Sequence, residues 1–462
     1  MINFLRNNLA LIRVLYILSK YGILRYVSTK TNIRCCYKIL ANLISCFLCP
    51  WQIFSSSNKA LLERNLHQAL TELGPVYIKL GQSLSTRPDL IGYEIAKNLQ
   101  QLQDQMPACE FSLVQQTIEH NFKQDIPSLF AFFDTKPIAA ASVAQVHKAR
   151  LHNGQEVAVK ILRPNIVRQY EQNLQLLEYC FKICNFLLAK AKRLKLLEVI
   201  ELFKKSMRSE LNLRLEAAAA SRIRQNFAKD DSLYIPEIFW QLTSEEILTL
   251  EWVEGVSIYN TDEIIAMGLS PQEVAAKIAI IFFNQAYQDG FFHADLHPGN
   301  IMVSKQGKII LIDFGIISIL PEQDRLSIAE ILYAFLNYDY DLVAKVHHRA
   351  GYIPPDTNLD DFAQSCRAIA EPIIGLAIKD ISIGNLLMQL FKVTEEYGMQ
   401  TQPQLLLLQK TMVVVEGIGH SLDPNINMWQ LAQPWIKKWA AKNISPEAKI
   451  LRFIKKFLNN LQ

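Results

Sequence analysis

FFHADLHPGNIMV, residues 291–303, sets His293, Asp295, His297 and Asn300 within eight positions and pins them with Pro298-Gly299. Two chemistries fit those residue types. His293, Asp295 and His297 are zinc-ligand types. Asp295 and Asn300 are also the acid and the Mg²⁺-ligating amide of a phosphoryl-transfer loop. Alternate residues share a direction only on a strand, and Pro-Gly marks a turn instead. The zinc reading is therefore the weaker of the two.

Outward on the C-terminal side, an apolar run leads into Ile312-Asp313-Phe314-Gly315. Asp313 supplies the second metal-binding acid that phosphoryl transfer needs after the catalytic loop. Either motif alone is weak. The ordered set HxDxxxxN, a short hairpin and DFG is specific. Outward on the N-terminal side, Val157-Ala158-Val159-Lys160 follows an Asn153-Gly154 hairpin turn. Lys160 is read as a point charge on nucleotide phosphates, and Glu216, on a later helix, as the carboxylate that positions it.

A phosphate-covering loop would precede the Lys160 strand, and there is no GxGxxG there. IAAASVAQV occupies the place. Glycine lets a backbone approach phosphate and accept positive φ, and alanine resists both. Ile138, Ala139, Ala140, Ala141, Ser142, Val143, Ala144, Gln145 and Val146 are accordingly assigned to nucleotide contact with altered geometry, Ser142 offering its hydroxyl. Five residues separate Gly315 from Pro321, so a long activation segment with an APE anchor is missing. Ala294 stands before Asp295, where an arginine would pair with a phosphate on such a segment.

The order of patterns gives an α+β architecture. Residues 1–62 are basic and apolar, 63–126 helical, and 127–255 a small β-rich lobe with a long helix. Residues 256–440 form a larger helical lobe, and 441–462 a basic amphipathic tail. At 462 residues, half of them hydrophobic, the chain can bury a sizeable core. The net charge is +4, yet residues 1–62 hold no acid at all, and Arg6, Arg13, Lys20, Arg25, Lys30, Arg34 and Lys38 lie there. A basic excess confined to an apolar, aromatic-containing segment suits an anionic membrane surface and not nucleic acid. An ordinary helical hairpin with a solvated basic face is the bland alternative. The longest uncharged run of this region, residues 39–58, is shortened by Pro50 and a Ser-rich end and is read as interfacial or buried. Cys46 and Cys49 form a CxxC without a second pair, and the eight cysteines are read as reduced thiols.

HADLHPGN, VAVK, AAASVAQVH, YIKLGQSLSTRPDL, LRLEAAAA and VVVEGIGHSLDPNINMW together resemble the UbiB/ABC1/ADCK family of atypical protein-kinase-like proteins, over about residues 63–430. The resemblance implies a bilobal protein-kinase-like fold with a helical N-terminal extension, ATP or ADP with Mg²⁺, and a part in ubiquinone biosynthesis. It also implies that Lys79 and Gln82, of a KxGQ element, fold over the nucleotide site, with Lys79 meeting Glu210 of an ExD motif. Here that motif reads Glu210-Leu211-Asn212, so Asn replaces the second acid. Bacterial members often end in apolar spans, whereas EAKILRFIKKFLNNLQ is too charged to cross a bilayer.

The expectation is a UbiB-type ATPase or kinase, a phosphotransferase-like enzyme acting on quinone-precursor lipids or ubiquinone-biosynthesis proteins. Its expected place is the cytoplasmic face of a bacterial inner membrane, held peripherally or by its N-terminal region. The basic, acid-poor start also fits a transit peptide and so a mitochondrial address. Two alternatives stand beside it: a conventional protein kinase for a biosynthetic partner, and a non-enzymatic, nucleotide-gated lipid-binding scaffold. A small-molecule kinase shares the HxDxxxxN logic but leaves Lys79 unexplained.

Overall fold

A computed structural model describes residues 2–24, 59–85, 107–187, 207–374, 403–426 and 428–443, with a few single positions between. The 39–58 run, Cys35, Cys36, Cys46 and Cys49, and the tail from residue 447 lie outside the described residues. In chain order come α1 (Ile2–Lys20), α2 (Lys59–Leu73), α3 (Pro75–Ser85), α4 (Phe111–Phe122) and α5 (Ile126–Leu129). Then follow β1 (Phe132–Phe133), β2 (Ala139–Ala140), β3 (Ala144–Arg150), β4 (Glu156–Leu162), α6 (Ile166–Leu187) and α7 (Leu213–Asn226). Next are β5 (Leu233–Tyr234), β6 (Ile247–Glu251), β7 (Val256–Ser257), α8 (Thr261–Ala266) and α9 (Pro271–Phe283). The remainder is β8 (Phe291–His293), β9 (Ile301–Val303), β10 (Ile309–Leu311), β11 (Ile317–Ile319), α10 (Glu322–Leu336), α11 (Tyr340–Arg349), α12 (Leu359–Ile374), α13 (Pro403–Leu422) and α14 (Met428–Asn443).

These elements form two compact units, 1–215 with 239–251, and 216–238 with 252–462. Residues 216–238, placed in the β-rich lobe on sequence order, group with the second unit. The reason is pairing: β5 runs parallel to β10 and joins a four-stranded sheet ordered β5-β10-β9-β7. β6, only a few residues further on, pairs with β4 in the first unit.

The first unit is built on the sheet β1-β3-β4-β6, with β2 on β3. Its central hairpin turns at Asn153-Gly154, where Gly154 takes φ +88° and donates to Leu151 O. Alternation then sorts the side chains. Val157, Val159 and Ile161 are fully buried with Val114 and Ile118 of α4 and Phe130. Their neighbours Ala158 and Lys160 emerge half-buried on the other face. On the helical side, Ile17 and Ile23 pack with Ala69, while Lys20 pairs with Glu72 at 2.8 Å. One basic residue of the N-terminal segment is thus paired at the surface, and the exposed face of α1 shows Ile12, Arg13 and Tyr16.

In the second unit α9 begins as its residues dictate. Ser270 Oγ accepts from Glu273 N and Pro271 takes the first turn. The helix is α-helical to Phe283. It widens into a π turn over Asn284–Asp289 and stops at Gly290, φ +63°. A Cβ at Gly290 would stand 2.6 Å from Leu320 O, so only glycine fits both the left-handed turn and the close backbone approach. β8 starts there and pairs with β11. The residue 291–303 stretch, read as a loop, is therefore two short strands joined by the HADLHPGN turn.

Candidate active site

The catalytic loop and the DFG turn are brought face to face by backbone pairing. β9 and β10 form a hairpin, and beyond its ends Ile312 N donates to Asn300 O at 3.0 Å. On the other flank Ala294 N donates to Ile316 O at 3.0 Å, continuing the β8–β11 ladder. His293 ties the two turns from inside. Its Nε2–H donates to Asp313 O, and its Nδ1 accepts from Asp295 N at 3.1 Å. Burial lowers the His293 pKa, which keeps the ring neutral in that tautomer. Both nitrogens are thereby committed to backbone, so His293 cannot serve as the first ligand of the zinc reading. His297 likewise accepts from Gly299 N through Nδ1 and shapes the turn.

The side-chain oxygens of Asn300 and Asp313 remain as candidates. Asn300 Nδ2 donates to Asp295 O at 3.3 Å, which leaves Asn300 Oδ1 as the atom able to face a cation. Asp313 adopts φ +67°, a conformation rare outside glycine but tolerated by Asp and Asn. Its Oδ1 accepts from Gly315 N at 3.1 Å, and the side chain is exposed. An amide oxygen and a carboxylate are hard donors of the kind Mg²⁺ takes when phosphate oxygens complete its shell. Glu216 is buried, 6 % exposed, and its Oε1 accepts from Phe314 N at 3.3 Å, steadying the same turn. The pairing of Lys160 with Glu216 expected from sequence has one member in each unit.

Sequence reasoning missed one residue here. Lys410 Nζ, from α13, lies 3.1 Å from Asp295 Oδ1. Beside it, Thr411 Oγ is 3.2 Å from Ala294 O. A lone ammonium within the apolar run LLLLQKTMVVV was the available signal, since lysine is seldom placed there without a partner.

In the first unit, register sets Val146 opposite Lys160, and Lys160 opposite Leu248. The half-buried face thus carries an ammonium flanked by Val146 and Ala158, two apolar side chains beside a positive charge. The Ala-rich loop is a tight β2–β3 hairpin with Ala141 N donating to Ala144 O at 2.8 Å. Arg163 braces it, donating from Nε to Ala141 O and from its backbone N to Val143 O. Ile138, Ala139 and Ala141 are exposed, whereas Ser142, Val143, Ala144 and Gln145 are buried. Gln145 Oε1 accepts from Cys109 N, and its amide donates to His147 Nε2. Ile138, Ala139, Ala141 and the half-buried Val146, not the Gln145 side chain, are what this loop presents outward. Ser142 Oγ is sealed from solvent, so the hydroxyl expected to meet nucleotide is turned inside.

The extension element is also assembled within the first unit. Lys79 Nζ is 2.5 Å from Glu210 Oε1, and both are nearly buried. Gln82 Nε2 donates to Leu102 O at 3.0 Å. Between them Gly81 lets α3 close on its neighbours, since a Cβ there would meet Leu102 Cδ1 at 2.5 Å and Leu70 Cδ1 at 2.8 Å. Asn212 has a plain structural task. Its Oδ1 accepts from Arg214 N at 3.1 Å and caps α7. Asn and Asp cap equally well, so the departure from the ExD pattern leaves the helix start intact.

A β-strand lysine, an HxDxxxxN loop and a DFG turn locked by backbone define an atypical kinase-like protein. Comparison places it more narrowly. The ABC1 atypical kinase-like domain matches residues 101–347, and the UbiB helical domain matches residues 366–427. The chain is 40 % identical over 407 residues to the "Probable protein kinase UbiB" of Marinobacter nauticus, covering 87 % of this chain and 74 % of that protein. It belongs to the ABC1 family of atypical kinase-like proteins, in its UbiB branch. The structure of Rv3197 from Mycobacterium tuberculosis with erythromycin aligns over 81 % of this chain and 96 % of that one. Its TM-score is 0.50 at 23 % identity, a likeness of fold.

Proposed function

We propose that this protein binds ATP or ADP with Mg²⁺ and hydrolyses or transfers the terminal phosphoryl group in support of ubiquinone biosynthesis at a membrane surface. The observation that carries the reading is the ladder fixing Asp295, Asn300 and Asp313 around His293. Asn300 and Asp313 would hold the Mg²⁺, which supplies charge neutralisation for the phosphates. Lys160 binds the α- and β-phosphates, and Val146 and Ala158 offer an apolar face to the base. Asp295 orients water or a hydroxyl and takes its proton as the bond to phosphorus forms and the bridging oxygen leaves with the diphosphate.

The name of the Marinobacter nauticus relative and the family resemblance support the quinone pathway, with quinone-precursor lipids or pathway proteins as the partners. The exposed Ile12, Arg13 and Tyr16 of α1 support contact with an anionic bilayer. A protein-kinase reading, which that relative's name also carries, is disfavoured by the segment after the DFG turn. Its five residues up to Pro321 are taken up by the β11 pairing with β8, and no platform for a peptide remains among them.

The test is phosphate release by the pure protein with Mg²⁺, with and without anionic liposomes and a quinone-precursor mimic. Release that Asp313→Asn abolishes supports the proposal. Wild-type protein that takes up neither ADP nor ATP in calorimetry overturns it. Quinone production that survives Asp313→Asn in cells favours the scaffold.

A further inference from the structure

We infer that Lys410 is a positioning residue for Asp295, so that α13 of the helical domain is part of the phosphoryl-transfer machinery. The inference rests on the proposed reaction and concerns a residue of the opposite end of the chain from its motifs. Three observations carry it. The Lys410 ammonium is 3.1 Å from Asp295 Oδ1. The next residue, Thr411, donates to Leu407 O of its own helix at 2.8 Å and sets the same Oγ 3.2 Å from Ala294 O, so one helical turn of α13 lies against both the backbone and the side chain of the HADLHPGN loop. α13 is long and apolar enough to pass for a membrane span, yet half of that window is buried in the protein, and its only Lys, Arg, Asp or Glu residues are Lys410 and the buried Glu416.

Magnitude decides between a strut and a functional contact. The two side chains are 39 % and 35 % exposed. An ion pair that open to water contributes about 0–1 kcal/mol to stability. Stability is therefore a poor reason to place a lysine in the mostly apolar run of residues 405–415. Orientation is a better one. With Oδ1 held by the ammonium, the Asp295 carboxylate has one setting, and Oδ2 is presented to water or a hydroxyl. Without Lys410 the carboxylate turns freely, and misplacement of a catalytic group by about 1 Å can cost on the order of 100-fold in rate. Nucleotide affinity, set by other residues, is not expected to follow.

The experiment compares wild type, Lys410→Met, Lys410→Arg, Asp295→Asn and the Lys410→Met/Asp295→Asn double variant. Phosphate release, nucleotide Kd and melting temperature are measured for each. Lys410→Met should lower kcat at least tenfold, with Kd within twofold and melting unchanged, and Lys410→Arg should restore part of the loss. In the Asp295→Asn background, Lys410→Met should cost nothing more, because its partner is already gone. Unchanged kcat in Lys410→Met overturns the inference and leaves the proposed function standing. So does an additive loss in the double variant, or a Lys410→Met protein that melts early and binds nucleotide poorly. Wild type without Asp295-dependent turnover overturns both.

Discussion

Removing the Lys79 ammonium is the sharpest structural test of the extension element. Lys79 and Glu210 are 12 % and 13 % exposed, and their charges are 2.5 Å apart. Fully exposed pairs contribute about 0–1 kcal/mol. Taking one partner from a buried pair costs about 3–5 kcal/mol, because the other charge is left uncompensated. At this exposure, solvent screens part of the orphaned charge, so Lys79→Met should destabilise local packing by about 2–3 kcal/mol. That corresponds to roughly 30- to 150-fold faster opening of α3, read as amide hydrogen exchange over Pro75–Ser85 by mass spectrometry. Glu210→Met alone should act similarly. The double variant Lys79→Met/Glu210→Met removes both charges and should recover to within about 1 kcal/mol of wild type. Exchange in Lys79→Met changed by less than about threefold, or a double variant as fast as the product of the singles, would refute the reasoning.

Three further outcomes follow from local chemistry. Asn212→Ala should loosen the first turn of α7 by about 1 kcal/mol while Asn212→Asp leaves it unchanged, checked by hydrogen exchange; equal effects would rule out the cap. Gly290→Ala should destabilise more than Gly154→Ala in thermal melts. Both glycines have positive φ, but only the Gly290 Cβ meets a backbone oxygen, at 2.6 Å, while nothing lies within 4 Å of Gly154. Acid should weaken the fold through buried histidines. Burial pushes His347 down to about 4, and lowers His147 and His293 too. The unfolded chain then binds more protons, so stability is full above about pH 6.5 and falls as pH drops towards 4, by about 3 kcal/mol for His347 alone. Urea midpoints across that range should show the slope, and His347→Gln should flatten part of it; a midpoint independent of pH contradicts the burial.

Local signals are strong where one residue type has one use, and those parts of the chain were legible in one dimension. Asn153-Gly154 demands a hairpin, Ser270-Pro271 starts a helix, and the period-two run at Val157–Lys160 puts Lys160 opposite a buried valine face. The HADLHPGN and DFG spacings singled out Asp295, Asn300 and Asp313 as a proposed phosphoryl-transfer set, because that chemistry uses such groups in that order. Tertiary structure decided what depends on partners far apart in sequence. His293 became a backbone tie because β8 pairs with β11, which no composition shows. Ser142 and Gln145 turned inward because Arg163, Cys109 and His147 surround their loop. Asn212 became a cap, and Lys410 met Asp295 across 115 positions. Patterns along a chain report torsional preference and burial, whereas a hydrogen bond between distant segments exists only once the backbone has brought donor and acceptor together.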